Sequence, residues 1–160
     1  FKSGPVGNIK NYRPINLTSV VSRVMEKIIK VELLRYLLRN ELLSPSQHEF
    51  LKTRSRDTCM LDYIDDITTH RDKRLLVSAL FLDFSKAFDK VPHKRLLIKL
   101  KSYGVTDPLH SWFASFLEAR QQTVKYNNSL SLPKPITSGV IQGSVLGPLL
   151  FIIYINDIIN

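Results

Sequence analysis

The chain has 160 residues, enough for one domain or most of one, and 44% of them are hydrophobic, enough to bury a core. With 23 Lys/Arg against 14 Asp/Glu the formal net charge is +9, which points to a polyanionic partner, most often nucleic acid. The single cysteine, Cys59, excludes an intrachain disulfide and fits a reducing, intracellular setting, and no apolar run approaches the roughly 18 residues that span a bilayer.

The charge is uneven. Residues 1–56 hold eleven Lys/Arg and four Asp/Glu, a net +7, whereas residues 57–160 hold twelve and ten, a net +2. The basic surface is therefore expected to be mostly N-terminal. Residues 1–16, with two Pro and two Gly, read as an irregular lead-in. Thr18 to Asn40 reads as an amphipathic helix: Val20, Val21, Val24, Met25, Ile28, Leu33, Leu34, Leu37 and Leu38 recur at three- and four-residue steps. Its Arg23, Lys27, Lys30, Arg35 and Arg39 fall largely on the other side. A loop follows around Ser44-Pro45, and Asp57 is expected to cap a second helix that runs to about His70.

Leu75 to Phe84 is a continuous apolar run of strand length, expected to be buried on both faces. Pro92 opens a helix that ends at Tyr103-Gly104, and Asp107-Pro108 starts another running to about Ala119, with Trp112, Phe113, Phe116 and Leu117 as core. Gln122 to Tyr126 and Lys134 to Ser138 read as strands of a hairpin turning through Asn127-Asn128. A turn-rich segment, Gly139 to Pro148, leads into a final apolar helix. Helices, strand, helices, hairpin, helix make the class α+β. The chain opens on Phe1 and stops after a strongly apolar segment, so both ends read as cut from a longer protein.

Two segments carry chemistry. Asp83 ends the apolar run, where a carboxylate is costly unless it meets a cation or a donor. With the Phe84 carbonyl beside it, Asp83 offers two oxygens to a hard cation such as Mg²⁺; capping of the next turn is the equally open alternative. Asp89 reads as a turn residue. Ser138 to Pro148 places three glycines in nine residues, where a backbone can approach a ligand closely, around Gln142 with its donor and acceptor. His48, His70, His93 and His110 have no metal-ligand spacing.

Taken together, FLDFSKAFDKVPH and SGVIQGSVLGPLLFIIYIND, in this order and spacing, resemble the reverse transcriptases of non-LTR, LINE-type (jockey-like) retrotransposons. NYRPINLTSVVSRVMEKII and WFASFLEARQQTVKYN match the same family, so the resemblance covers about Asn11 to Asp157. It implies a right-hand polymerase: fingers over about residues 1–74 and mostly palm over 75–160, with an antiparallel palm sheet flanked by helices. It implies two Mg²⁺ ions, an RNA template, a DNA primer and deoxynucleoside triphosphates. By the resemblance Asp83 is the first catalytic, metal-binding aspartate, with Phe84 beside the nucleotide and Phe88 as the aromatic gate against a ribose 2′-hydroxyl. Gln142 and Gly143 match the loop that packs by nucleotide and template. Lys52 and Arg54 fall in the fingers segment near the triphosphate, and Arg13 is expected on nucleic-acid backbone.

Departures from the family pattern accompany these matches. The fingers segment, usually close to Gly-Phe-Arg-x-Gly-Arg-Ser, is here Glu49-Phe50-Leu51-Lys52-Thr53-Arg54-Ser55, and Ile141 stands where the family's loop has proline. The family's second metal-binding aspartate, in a Phe/Tyr-Ala-Asp-Asp hairpin, and the thumb are not in the chain; Tyr154-Ile155-Asn156-Asp157 reads as a helix end and not as that hairpin. The expected activity of the isolated chain is therefore none, with two other readings beside it: a non-catalytic nucleic-acid-binding remnant, or a decayed copy of such an element.

Overall fold

The computed structural model describes residues 1, 4–8, 11–12, 16–49, 51, 54–118 and 120–158. The long helix predicted from the apolar periodicity is α1, Val20–Arg39, capped by the Ser19 hydroxyl, which accepts from the Ser22 amide. Helix α2, Arg56–Asp72, is capped by Ser55 and not by Asp57. Ser55 and Thr58 satisfy each other's amides reciprocally, leaving Asp57 in the first turn, where its charge suits the helix dipole.

A 3₁₀ turn at Phe88–Lys90 precedes α3, His93–Ser102, and α4, Leu109–Leu117, follows a turn in which the Asp107 carboxylate accepts from the Ser111 amide at 3.0 Å. The predicted hairpin is present, but as two short ladders. Strand β2, Lys125–Tyr126, pairs with β3, Ser129–Leu130, around Asn127, whose φ of 50° makes the turn. Farther out β1, Gln121–Gln122, pairs with β4, Lys134–Pro135. Lys125 faces Leu130, whereas Gln121 faces Pro135, so the register slips by one residue between the ladders. That extra residue on the return side is a bulge at Leu132-Pro133, where proline has no N–H to give the ladder. Helix α5, Gly147–Ile155, closes the order, with Pro148 in its first turn.

The core lies where α3, α4 and α5 meet the C-terminal half of α1. Leu33, Leu37, Leu96, Leu100, Phe113, Leu117, Leu150 and Ile153 are its buried members. Two expectations are corrected. Leu75 to Phe84 is in no strand; among the described residues the only ladders belong to the hairpin. A doubly buried strand needs ladder partners for its amides and carbonyls, and no described segment forms a ladder with this one. It is exposed, Leu76 fully so, with the Phe81 ring edge-on to Tyr63 at 5.7 Å. The predicted core face of α1 is also only half realised: Val20, Val21, Val24, Met25, Ile28 and Leu38 are exposed, and the buried positions of the helix are Glu26, Leu33 and Leu37.

This division of the surface is measurable. Leu100→Ala, at a fully buried site, is expected to cost about 2–5 kcal/mol. Leu76→Asp, on the uncovered segment, is expected to change stability by less than about 0.5 kcal/mol. Urea midpoints of the two variants check both numbers.

Candidate functional site

Asp83 and Phe84 sit at the end of the exposed segment, on the rim of a cleft of about 760 Å³ between α3 and α5. Its cations are Lys90, Arg95 and Lys99, and its apolar lining includes Ile98, Phe151 and Ile155. A second carboxylate, Asp157, lines the same cleft. It is ion-paired with the Lys99 ammonium, which also donates to the Tyr154 carbonyl at 2.8 Å. The Lys99 hydrogen bond holds the Asp157 carboxyl below its ordinary pKa.

Phe88 lies directly behind the cleft. Its ring stacks on Phe151 at 4.5 Å and an interplanar angle of 18°, half-buried against the core. The stack sets the Asp83 segment against α5.

The glycine-rich loop is joined to the same segment by main-chain hydrogen bonds. The Gly139 amide donates to the Val91 carbonyl and the Val140 amide to the Phe88 carbonyl, both at 2.8 Å. The Ser138 hydroxyl donates to the Asp89 carbonyl at 2.9 Å, and the His93 ring donates from Nε2 to the Gly139 carbonyl at 2.9 Å. Asp89 thus contributes backbone, as a turn residue should. Gly139 is required here: its φ is +95°, and a Cβ would lie 2.9 Å from the Asp89 backbone.

From Val140 the chain turns through Gln142 and Gly143, which do not line the cleft. The Gln142 carbonyl accepts from the Asn16 side chain at 2.9 Å. The Ser144 hydroxyl accepts from the Gly147 amide at 2.8 Å, and a Cβ on Gly147 would run into the Ile141 carbonyl oxygen. The turn therefore closes tightly without the proline that Ile141 replaces.

A residue that sequence reasoning passed over holds this loop. Glu26 of α1 is fully buried, and its Oε2 accepts from the Val145 amide at 2.8 Å and the Leu146 amide at 3.1 Å. Ser22 donates to its other oxygen at 3.2 Å. These amides open α5, where a carboxylate meets unpaired N–H groups and the positive end of the helix dipole. The signal was present in the spacing: Glu26 stands seven and eleven residues before Leu33 and Leu37, on the same buried face. Arg120, at the head of the hairpin, also senses it. Burial pushes the Arg120 guanidinium below its ordinary pKa, and the Glu26 charge opposes that shift.

Arg54 lines no part of the Asp83 cleft. Arg54 donates to the carbonyls of Pro45 and Gln47, so it braces the turn after α1 and lines a separate hollow with Leu37 and Leu38. Arg13 and Lys52 lie outside the described residues. Asn156 caps α5, which is a helix through Ile155 as expected. The Asn156 side chain donates to the Leu42 carbonyl and the Tyr103 hydroxyl and accepts from the Ser44 amide, each at 2.8 Å.

Magnesium prefers several oxygen ligands, usually including one or two carboxylates. Asp83 brings one carboxylate, and Asp157 is engaged by Lys99. Among the described residues no group of three or more His, Cys, Asp or Glu side chains converges. A pair of magnesium ions does not fit the donors gathered here.

The family model described as reverse transcriptase (RNA-dependent DNA polymerase) matches residues 2–160. The chain belongs to the reverse transcriptase family. It is 32% identical to a probable RNA-directed DNA polymerase from transposon X-element of Drosophila melanogaster, over 92% of this chain and 16% of that protein. It is 32% identical to the probable RNA-directed DNA polymerase from transposon BS of the same organism, over 96% and 17%. It is 30% identical to the RNA-directed DNA polymerase from mobile element jockey, again of Drosophila melanogaster, over 94% and 16%. The chain thus spans about a sixth of the length of these curated relatives. Among the described residues no helix is long and apolar enough to cross a membrane.

Two measurements test the site's architecture. Glu26→Ala strands one buried and one part-buried amide, each costing about 1–3 kcal/mol, so a loss of roughly 3 kcal/mol in urea unfolding is expected; Glu26→Gln, keeping one acceptor, should lose less. The Asp157 contribution has a defined pH window. Its folded pKa is depressed, so its stabilisation is present above the unfolded carboxylate value of about 3.9 and disappears as pH falls through the lower folded value. Asp157→Asn should lower stability by a small, constant amount at neutral pH and flatten the acid limb below about pH 4, the two profiles meeting in stronger acid.

Proposed function

We propose that this chain is the fingers and partial palm of a retrotransposon reverse transcriptase whose complete form adds deoxynucleotides to a primer 3′-hydroxyl on an RNA template. The observation that carries the reading is the joining of the two motif segments, Phe88 and Val91 to Gly139 and Val140, at the cleft rimmed by Asp83. That pairing gives the Asp83 segment and the Gln142 loop one common frame, as positioning of a reacting pair requires. In this reading Asp83 supplies one metal-binding carboxylate, with the Phe84 carbonyl beside it. The second carboxylate comes from outside the described residues, in keeping with the family's two-metal phosphoryl transfer.

Phe88 selects against a ribose 2′-hydroxyl in that complete enzyme. Its stack on Phe151 holds the ring at a fixed place, so the selection is steric. Gln142 and Gly143 position nucleotide and template, on a loop held from behind by Asn16 and Glu26. Lys52 and Arg54 act on the triphosphate, and Arg13 on the nucleic-acid backbone. Arg54 must leave the Pro45 and Gln47 carbonyls to do so.

The chain alone is inactive in this reading, because one free carboxylate cannot hold two ions about 4 Å apart. Primer extension with Mg²⁺ and all four deoxynucleotides tests it. The 160-residue chain should incorporate nothing. A chain extended to include a downstream carboxylate hairpin should incorporate, and Asp83→Ala should reduce its rate at least about a hundredfold, since even outer-shell partners of metal sites are worth 10- to 100-fold. Incorporation by the short chain that Asp83→Ala abolishes would overturn the predicted inactivity.

A further inference from the structure

Helix α1 carries apolar side chains on two opposite faces. One face, with Leu33, Leu37 and the Glu26 carboxylate, is buried. The other is uncovered: Leu17, Val21, Val24, Ile28, Val31 and Leu38 are between 53% and 95% exposed. Together with Arg35 they follow alternating steps of four and three residues without a break from Leu17 to Leu38. This is a heptad pattern, with Val21, Ile28 and Arg35 at the a positions and Leu17, Val24, Val31 and Leu38 at d. At 3.6 residues per turn the stripe runs along the side of the helix away from Glu26, Leu33 and Leu37. A helix apolar on both sides is ordinarily covered on both, and the described residues cover one.

The charges flanking the stripe identify the second neighbour. In a parallel pair of heptad helices, a residue at g faces the e residue five positions on in the other helix. Lys27 is at g and Glu32 at e. Two copies of α1 in register therefore set Lys27 of each against Glu32 of the other, twice. Val20 meets Met25 in the same way, and both are exposed. Among the described residues Lys27 has no carboxylate within ion-pair distance, and Glu32 pairs only with Arg35 of its own helix. An antiparallel pair sets g against g, and full overlap brings Lys27 against Lys27. Arg35 is the one polar a residue, partly neutralised by Glu32. A single polar a residue fixes register and strand number at some cost in stability. We infer that this face of α1 is a self-association surface, on which a second copy of the chain packs its own α1 in parallel. The inference is independent of the polymerase reading, since none of these residues lines the Asp83 cleft.

Sedimentation velocity of the 160-residue chain over a concentration series is the test, and a monomer–dimer equilibrium is expected. V24E/V31E, at two exposed d positions, should leave monomer only, with an unchanged circular dichroism spectrum. K27E sets acid against acid across the pair and E32K sets base against base, so each variant alone should associate about tenfold more weakly. Mixed together, the two variants regain both ion pairs in a heterodimer, and association should return to that of the unaltered chain. Damage to the helix itself would not be repaired by mixing. High salt should erase the difference between the mixture and the separate variants. L76D/L80D, on the exposed segment before Asp83, should leave the equilibrium unchanged. A chain monomeric at every concentration would overturn the inference, in favour of a different polypeptide segment on the stripe. Association that survives V24E/V31E and is lost in L76D/L80D would overturn it in favour of the exposed apolar segment. K27E and E32K that fail to rescue each other would overturn the parallel pairing.

Discussion

The buried carboxylate of Glu26 is the interaction on which the rest of this architecture depends. A charge removed from water is costly unless donors surround it. Glu26 has three: two amides at the start of α5 and the Ser22 hydroxyl. Those amides in turn belong to a helix start, where N–H groups have no partner within the helix. Each side resolves the other's deficit, and the contact joins residues 119 and 120 positions apart. Asn156 does the same work at the opposite end of α5, binding the turn after α1 with every polar atom of its amide group engaged. With both ends held, α5 has a fixed place against α1. Phe151 on α5 then fixes Phe88, and Phe88 carries the segment that ends in Asp83.

The two motif segments are thereby joined by specific bonds and not by general compaction. Gly139 and Val140 make a short exchange with Val91 and Phe88, and the glycine is needed because the Asp89 backbone occupies the space a side chain would fill. The cleft forms on one side of this junction and the Gln142 turn on another. Arg54 is not part of the junction, because its guanidinium satisfies carbonyls in the turn between α1 and α2. Recruiting it to a phosphate would exchange two neutral acceptors for an anion that the planar guanidinium can meet with two parallel bonds.

How much was legible in the sequence differs by element. Helices α3 and α4 were readable because proline, glycine and apolar period agree within a few residues. The Asn127 turn was readable from its side chains, but the bulge at Leu132-Pro133 was not, because only the pairing partner reveals a one-residue slip. Apolarity misled at Leu75 to Phe84. A run of leucine, valine and phenylalanine records fitness for burial, while burial itself requires a neighbour that composition does not name. The same gap explains the exposed first turns of α1. Of the site, Asp83 and the glycine loop were legible as motifs. Glu26 was legible only to a reader asking why an acid shares a face with Leu33 and Leu37.

Under the proposed function, the exposed segment and the need for a second carboxylate are one problem in physical terms. From Leu75 to Phe84 the backbone joins no ladder among the described residues, and its apolar side chains are exposed. A strand added beside it would satisfy that backbone and cover those side chains at once. Cross-strand neighbours stand about 4.5–5.5 Å apart, so a residue paired near Asp83 would arrive within reach of its carboxylate. Two acids at that distance repel unless a cation lies between them. The added strand would therefore be held by its backbone bonds and apolar contacts, and its acid would become an asset only with metal bound. Under the proposed function, pairing a strand beside Asp83 and completing its metal site would be the same event.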